Sequence, residues 1–237
     1  MTRSEIARYM ILRSIGNFLL LFAIYGVIAT FGPTLSYEIQ FQIAQARGIH
    51  YVVASAATVT ADEKKPASNA SNTSSPGFAS LLSNQTQQVL VAPDTNFSVV
   101  IPKIGAASKV YPNVDVNNEQ EFLSILQKGV AHAKGSVFPG IKGTTYLFAH
   151  STDNWWDVGR YNAVFYLLKD LQPGDDVVVF FEGRRYNYVV QHTEISDPDD
   201  TSLLRNSHDT NQQLVLQTCW PPGTTWKRLF VIAVPKT

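Results

Sequence analysis

Residues 214–234, LVLQTCWPPGTTWKRLFVIAV, read as two strands around a turn, and they hold the chain's single cysteine. The apolar run 214–218 delivers Cys219, residues 220–225 turn through Pro221, Pro222 and Gly223, and Arg228 opens a second apolar run. Proline is poorly tolerated inside a central strand, so Pro221 and Pro222 mark a loop and leave Cys219 near the end of the strand before it. Pairing of the two runs would put a thiol and a cation together at a strand end facing a loop, where reactive groups gather. Lys227 and Arg228 compete for that place. Adjacent strand residues face opposite sides, so one of the two points at the thiol. A cysteine beside a tryptophan is, taken alone, most simply a small buried hydrophobe.

Working outward, the periodicity from about residue 97 to 234 is mostly that of strands. Short strands are expected at 99–101, 109–111 and 144–149, and 176–181 with 186–192 make a hairpin around Glu182-Gly183-Arg184. Helical spacing appears twice: at 118–127, with Phe122, Ile125 and Leu126 on one face behind Asn117 or Asn118 as cap, and at 161–171. There is no internal repeat and no parallel β-α-β alternation in the pattern. The expected fold is mainly β, an antiparallel β-barrel with short helices, preceded by an N-terminal transmembrane helix.

The chain before the barrel divides by composition. Residues 1–13 carry Arg3, Arg8 and Arg13 against Glu5 and read as a cytoplasmic N-terminus; 14–33 read as a transmembrane anchor stopped at Gly32-Pro33. Residues 34–53 suggest a juxtamembrane helix or stalk. Residues 54–92 are rich in Ser, Asn and Thr, bury too little apolar surface to order themselves, and read as a linker to a domain at 93–237. The single anchor, uncleaved, places everything after Pro33 outside the cell membrane.

Formal net charge is zero and the domain has no basic run, so nucleic acid is an unsuitable partner. One cysteine excludes an intrachain disulfide and a Cys-rich metal site. A thiol nucleophile needs a base or cation beside it, because at reference pKa values near 8.5 and 6.5 the thiolate–imidazolium form of a Cys/His pair is only about 1% of the neutral pair. Of the five histidines, His150 stands out: it closes the apolar run 144–149 and delivers a polar group to an aromatic loop at 151–156. His50 lies near the membrane, His208 in a polar loop and His192 at the end of a hairpin strand, and all three read as solvated.

The whole domain resembles the sortases, membrane-anchored cysteine transpeptidases. The resemblance is carried by Leu216-Gln217-Thr218-Cys219 followed by Arg228, by Ile101-Pro102-Lys103-Ile104-Gly105, by Gly129-Val130-Ala131-His132, by Leu147-Phe148-Ala149-His150-Ser151, and by a Leu-Leu-x-x-Leu-x-x-Gly-Asp pattern at 167–175. Ala149 stands where the family usually has glycine, and Trp155-Trp156 fall in an insertion that does not align. The single anchor, and the absence of an Asp-Pro-aromatic lid ahead of Phe97, lean away from pilus-assembling sortases.

The resemblance implies that Cys219 attacks the carbonyl of an LPxTG-like sorting signal, that His150 protonates the departing amine and later deprotonates the incoming one, and that Arg228 stabilises the developing oxyanion. It selects Arg228 over Lys227, and it gives Thr218 a place in substrate binding. The partners it implies are surface proteins bearing a C-terminal sorting signal, an amine acceptor of the cell surface, and the membrane through the N-terminal helix; protein anchoring to the cell wall is the process. His132 matches a family histidine but reads as structural. No cofactor is expected. The acidic loop Glu194, Asp197, Asp199 and Asp200, with Glu119 or Glu121, offers oxygen ligands of the kind calcium takes, although a solvated acidic loop is the simpler reading. The alternatives are a different cysteine acyl hydrolase, whose usual surroundings of the nucleophile are missing here, and an anchored non-catalytic β-domain that binds surface proteins.

Overall fold

The computed structural model describes residues 3–53, 87–151, 164–205, 207–208 and 211–236. The chain divides into two units, residues 1–44 and 45–237. The first is most of one helix, α1 (Arg3–Ala46), whose segment Arg8–Ala29 is long and apolar enough to cross a membrane, with mean hydropathy 1.9 and none of it buried in protein. Phe18 and Leu21 are each 65% exposed there, a surface suited to lipid rather than water.

Two expectations for this region need correction. Gly32-Pro33 does not stop the helix, which runs on to Ala46. One proline removes one intrahelical hydrogen bond, and the rest of the ladder continues on both sides of it. The stop comes at Gly48, whose positive φ of 63° and N–H bond to the Gln45 carbonyl close the last turn. Nor is 34–53 helical throughout: His50–Val53 is a strand, β1, paired in parallel with β2 (Gln87–Leu90). Most of the 54–92 linker, residues 54–86, lies outside the described residues.

The barrel is built from eight further strands: β3 (Phe97–Ile101), β4 (Ala106–Val114), β5 (Val130–Ala133), β6 (Thr144–Phe148), β7 (Asp176–Phe181), β8 (Arg184–Ser196), β9 (Gln213–Trp220) and β10 (Lys227–Pro235). It closes in the order β10-β8-β7-β3-β4-β5-β6-β9. Closure removes the unpaired edges that an open sheet would expose. Most pairs are antiparallel. Two are parallel: β6 with β9, and β4 with β5, the latter joined through helix α2 (Glu119–Leu126). That crossover was not expected, because a four-residue Val-Ala-His-Ala strand carries no periodicity of its own.

Local signals set several of these elements. The Asn118 side chain accepts from the Glu121 N–H at 3.2 Å and donates to the Glu121 carboxylate, capping α2. Glu182 and Gly183, at φ 49° and 73°, make the two-residue turn between β7 and β8. The helical spacing at 161–171 resolves, within the described residues, as a 3-10 turn over Tyr166–Asp170.

Alternation divides the strand side chains into two sets. Val99, Val179, Leu147, Leu216 and Val231 fill the interior at 0–1% exposure. On the other face Tyr146, Phe148, Val215, Phe230 and Ile232 form a cluster covered by Phe122, Ile125 and Leu126 of α2 and by Leu203 and Leu204 of a short helix, α3 (Ser202–Arg205). The candidate residues Cys219 and Arg228 stand at one end of that second face.

Candidate active site

Cys219 is the penultimate residue of β9, and Arg228 is its Cα partner on β10. Antiparallel partners point the same way, and Arg228 Nη1 lies 3.7 Å from Cys219 Sγ. The guanidinium is fixed from behind, donating to the Thr225 carbonyl at 3.2 Å and to the Lys227 carbonyl at 3.3 Å. Lys227 pairs with Trp220 in the register and turns the other way, onto the Asp197 carboxylate. The competition between the two cations is thus decided for Arg228 by the pleat.

His150 reaches the same level from the other side. The parallel register of β6 and β9 pairs Thr144 with Gln213 and Phe148 with Gln217, and the Ala149 N–H continues it by bonding the Gln217 carbonyl at 3.2 Å. Two residues beyond Phe148 and Gln217 come His150, just past the end of β6, and Cys219, near the end of β9. Both are half-buried. Three neighbouring strands therefore carry an imidazole, a thiol and a guanidinium to one rim of the barrel.

Thr218 lies on the opposite face. It is 2% exposed, and its hydroxyl donates to the Ala149 carbonyl at 3.0 Å, immediately before His150. Two further contacts were not foreseen. Ser151, 4% exposed, accepts through Oγ from the Gly223 N–H at 3.4 Å, joining the loop after Cys219 to the strand end that carries His150. Tyr146 donates its hydroxyl to Gln217 Oε1 at 2.8 Å on the face shared with Cys219; burial pushes this phenol far above its ordinary pKa and keeps it a donor. Gln217 was legible as a neighbour of Cys219 by alternation, whereas the Ser151 contact depends on loop geometry that no sequence pattern encodes. Residues 152–163, with Trp155 and Trp156, lie outside the described residues.

His132 stands inside the barrel, fully buried and stacked on Phe138 with ring centroids 4.6 Å apart. Its Nδ1 accepts from the Asn113 N–H at 3.3 Å, so the proton sits on Nε2, which lies 3.2 Å from the Val137 carbonyl and 2.9 Å from Ser136 Oγ. Burial holds its pKa below the ordinary value, favouring the neutral ring. The acidic loop uses its carboxylates locally: Asp197 takes Lys227, and Asp200 takes Ser196 Oγ and the Ser202 N–H, which together push its pKa down to about 2. Among the described residues no group of three or more His, Cys, Asp or Glu side chains is placed to hold a metal ion.

A closed barrel presenting a half-buried thiol between a histidine-bearing strand end and a fixed guanidinium has the layout of a cysteine acyl-transfer site. The sortase domain family model matches residues 99–236, and the chain belongs to the sortase family. Sortase D of Bacillus subtilis (strain 168) is 30% identical over 121 residues, which are 51% of this chain and 52% of that one, so the chain spans about half the length of this curated relative in the match. Among solved structures, a lid mutant of sortase A from Corynebacterium diphtheriae superposes with a TM-score of 0.50 at 26% identity, covering 61% of this chain and 71% of that one. Sortase C1 of GBS Pilus Island 1, at a TM-score of 0.51 and 22% identity over 60% of this chain and 64% of that one, shares the fold. Members of the family are cysteine transpeptidases.

Proposed function

We propose that this chain is a transpeptidase that cleaves an LPxTG-like sorting signal and transfers the acyl portion to an amine at the cell surface. The observation that carries the reading is the 3.7 Å approach of Arg228 Nη1 to Cys219 Sγ, with His150 two residues past the end of the adjoining strand. In this reading the Cys219 thiolate attacks the carbonyl carbon of the scissile peptide bond. Arg228 donates to the oxyanion that forms, and protonated His150 gives its proton to the departing amine as the C–N bond breaks. The product is a thioester on Cys219. An acceptor amine then attacks the thioester carbonyl, neutral His150 takes the amine's proton, and the thiolate leaves.

Arg228 suits the oxyanion role because its charge persists at any working pH and two carbonyl anchors preset its direction. Thr218 contributes to substrate binding through the floor of the site, since its hydroxyl is committed to Ala149. The Arg8–Ala29 helix serves as the membrane anchor, and the barrel works outside, on surface proteins carrying the signal.

The test is product analysis. Soluble protein from residue 45 onward is incubated with a panel of LPxTG-like peptides and an amine acceptor, and the products are separated. A ligated peptide–amine product, formed in preference to the hydrolysed acid, supports the reading. Failure of every peptide to be cleaved, by protein whose thiol alkylates readily, rejects that substrate class.

A further inference from the structure

The Ser/Asn/Thr-rich stretch looks like the spacer between anchor and enzyme, yet the chain enters the barrel unit before that stretch begins. Helix α1 ends at Ala46, and three residues, Arg47, Gly48 and Ile49, separate it from β1. That strand is docked on the barrel. Val53 is 8% exposed and packs in one cluster with Val100 of β3 and with Val178 and Phe180 of β7. Tyr51 lies over the 3-10 turn that follows β3: a Cβ built on Gly105 would stand 3.1 Å from its ring. The parallel register then brings the chain back beside β1, Val52 opposite Val89 and Val53 opposite Leu90, and Leu90 and Ala92 join the same cluster. Residues 54–86 thus leave from one strand of this small sheet and return to its neighbour.

We infer that the link between membrane helix and catalytic barrel is the segment 47–49, that β1 is an integral docking strand of the barrel unit, and that the chain between β1 and β2 does not set the enzyme's distance from the membrane. The two arrangements differ in reach. Three extended residues span roughly 10 Å. A chain of the 54–86 length acting as a spacer has an r.m.s. extension of about 30 Å. The short link leaves the barrel a narrower range of reach from the end of α1 than a spacer of that length would. This rests on reading α1 as an anchor, and its first test does not.

That test is cross-linking in the full-length protein on a Cys219→Ala background. Val52 and Val89 are 47% and 66% exposed, so replacing them perturbs little of the core. The Val52→Cys/Val89→Cys protein is expected to form an intrachain disulfide under mild oxidation at least tenfold faster than Val52→Cys/Val91→Cys, which is two residues out of register; equal rates would overturn the docking of β1.

The second test uses full-length protein in liposomes with a donor dye on Cys219 and acceptor dyes in the lipid. A twenty-residue Gly/Ser insertion after Gly48 is expected to lower transfer efficiency, and the same insertion at residue 70 to leave it unchanged. The reverse pattern would overturn the inference. Because disulfide formation is read with or without a bilayer, and neither readout needs catalysis, failure of the anchor, of the transpeptidase reading and of this link give different results.

Discussion

Cys219 and Arg228 face each other as Cα partners across β9 and β10, with Nη1 3.7 Å from Sγ. Arg228→Ala removes the fixed donor and is expected to slow acyl-enzyme formation by about 10²–10³-fold, the loss typical of one oxyanion donor. Arg228→Lys remains well below wild type, because an ammonium cannot hold both backbone carbonyls and address the substrate with a planar fork. The half-buried position keeps thermal stability near wild type in both. Rapid-quench acylation rates alongside melting curves check this.

Lys227→Ala serves as the matching control one residue away. Its ammonium belongs to an exposed pair with Asp197, worth about 0–1 kcal/mol. Acylation within about twofold of wild type is expected. A loss as large as that of Arg228→Ala would mean that the pleat does not separate the two cations in solution.

Thr218→Val removes the hydroxyl that donates to the Ala149 carbonyl and leaves a buried acceptor unpaired, at a cost of about 1–3 kcal/mol. Lower melting temperature and slower acylation are expected together, with Thr218→Ser restoring both. A raised KM with unchanged melting would instead mark Thr218 as a direct substrate contact.

Gly143 immediately precedes β6, the strand that leads to His150, with φ at 122° and the Ser207 carbonyl 2.5 Å from where a Cβ would stand. Gly143→Ala therefore strains the backbone by about 1–3 kcal/mol even before the clash is relieved. Chemical denaturation should report the loss at a nearly unchanged m-value.

The neutral His132 ring gives stability a pH dependence. Its folded pKa lies below the ordinary 6.5, so the unfolded chain binds the extra proton between the two values, and stability falls as pH drops through about 6.5 toward the folded pKa. Asp115 and Asp200, both held below the usual carboxylate range, begin to lose their contribution only at lower pH, below about 3.8. Melting temperatures measured from about pH 8 to pH 4.5 should fall less steeply in His132→Gln than in wild type, although the variant starts lower.

The parts of the fold legible in the sequence are those fixed by local chemistry. Pro221 and Pro222 bounded the β9–β10 loop, Glu182-Gly183 marked the hairpin, Asn118 capped α2, and alternation allowed one of Lys227 and Arg228 to face Cys219. What escaped was set by partners distant in the chain. β5 is recognisable by its neighbours β4 and β6 and not by Val-Ala-His-Ala itself. The end of β8, Thr193 to Ser196, is largely exposed, and it is a strand because β10 pairs with it. β1 sits against a low-complexity stretch and owes its form to β2 and the barrel. Likewise the candidate residues could be named singly, but their common level depends on the β6–β9 register, which no local pattern carries.

The most direct measurement is the intact mass of the protein caught during turnover with a cleaved sorting peptide and no added amine. A covalent peptide adduct on Cys219, absent in Cys219→Ala and much slower to form in His150→Ala, is the predicted result. Cleavage that proceeds without an adduct, or that survives in Cys219→Ala, would contradict thioester chemistry at this site.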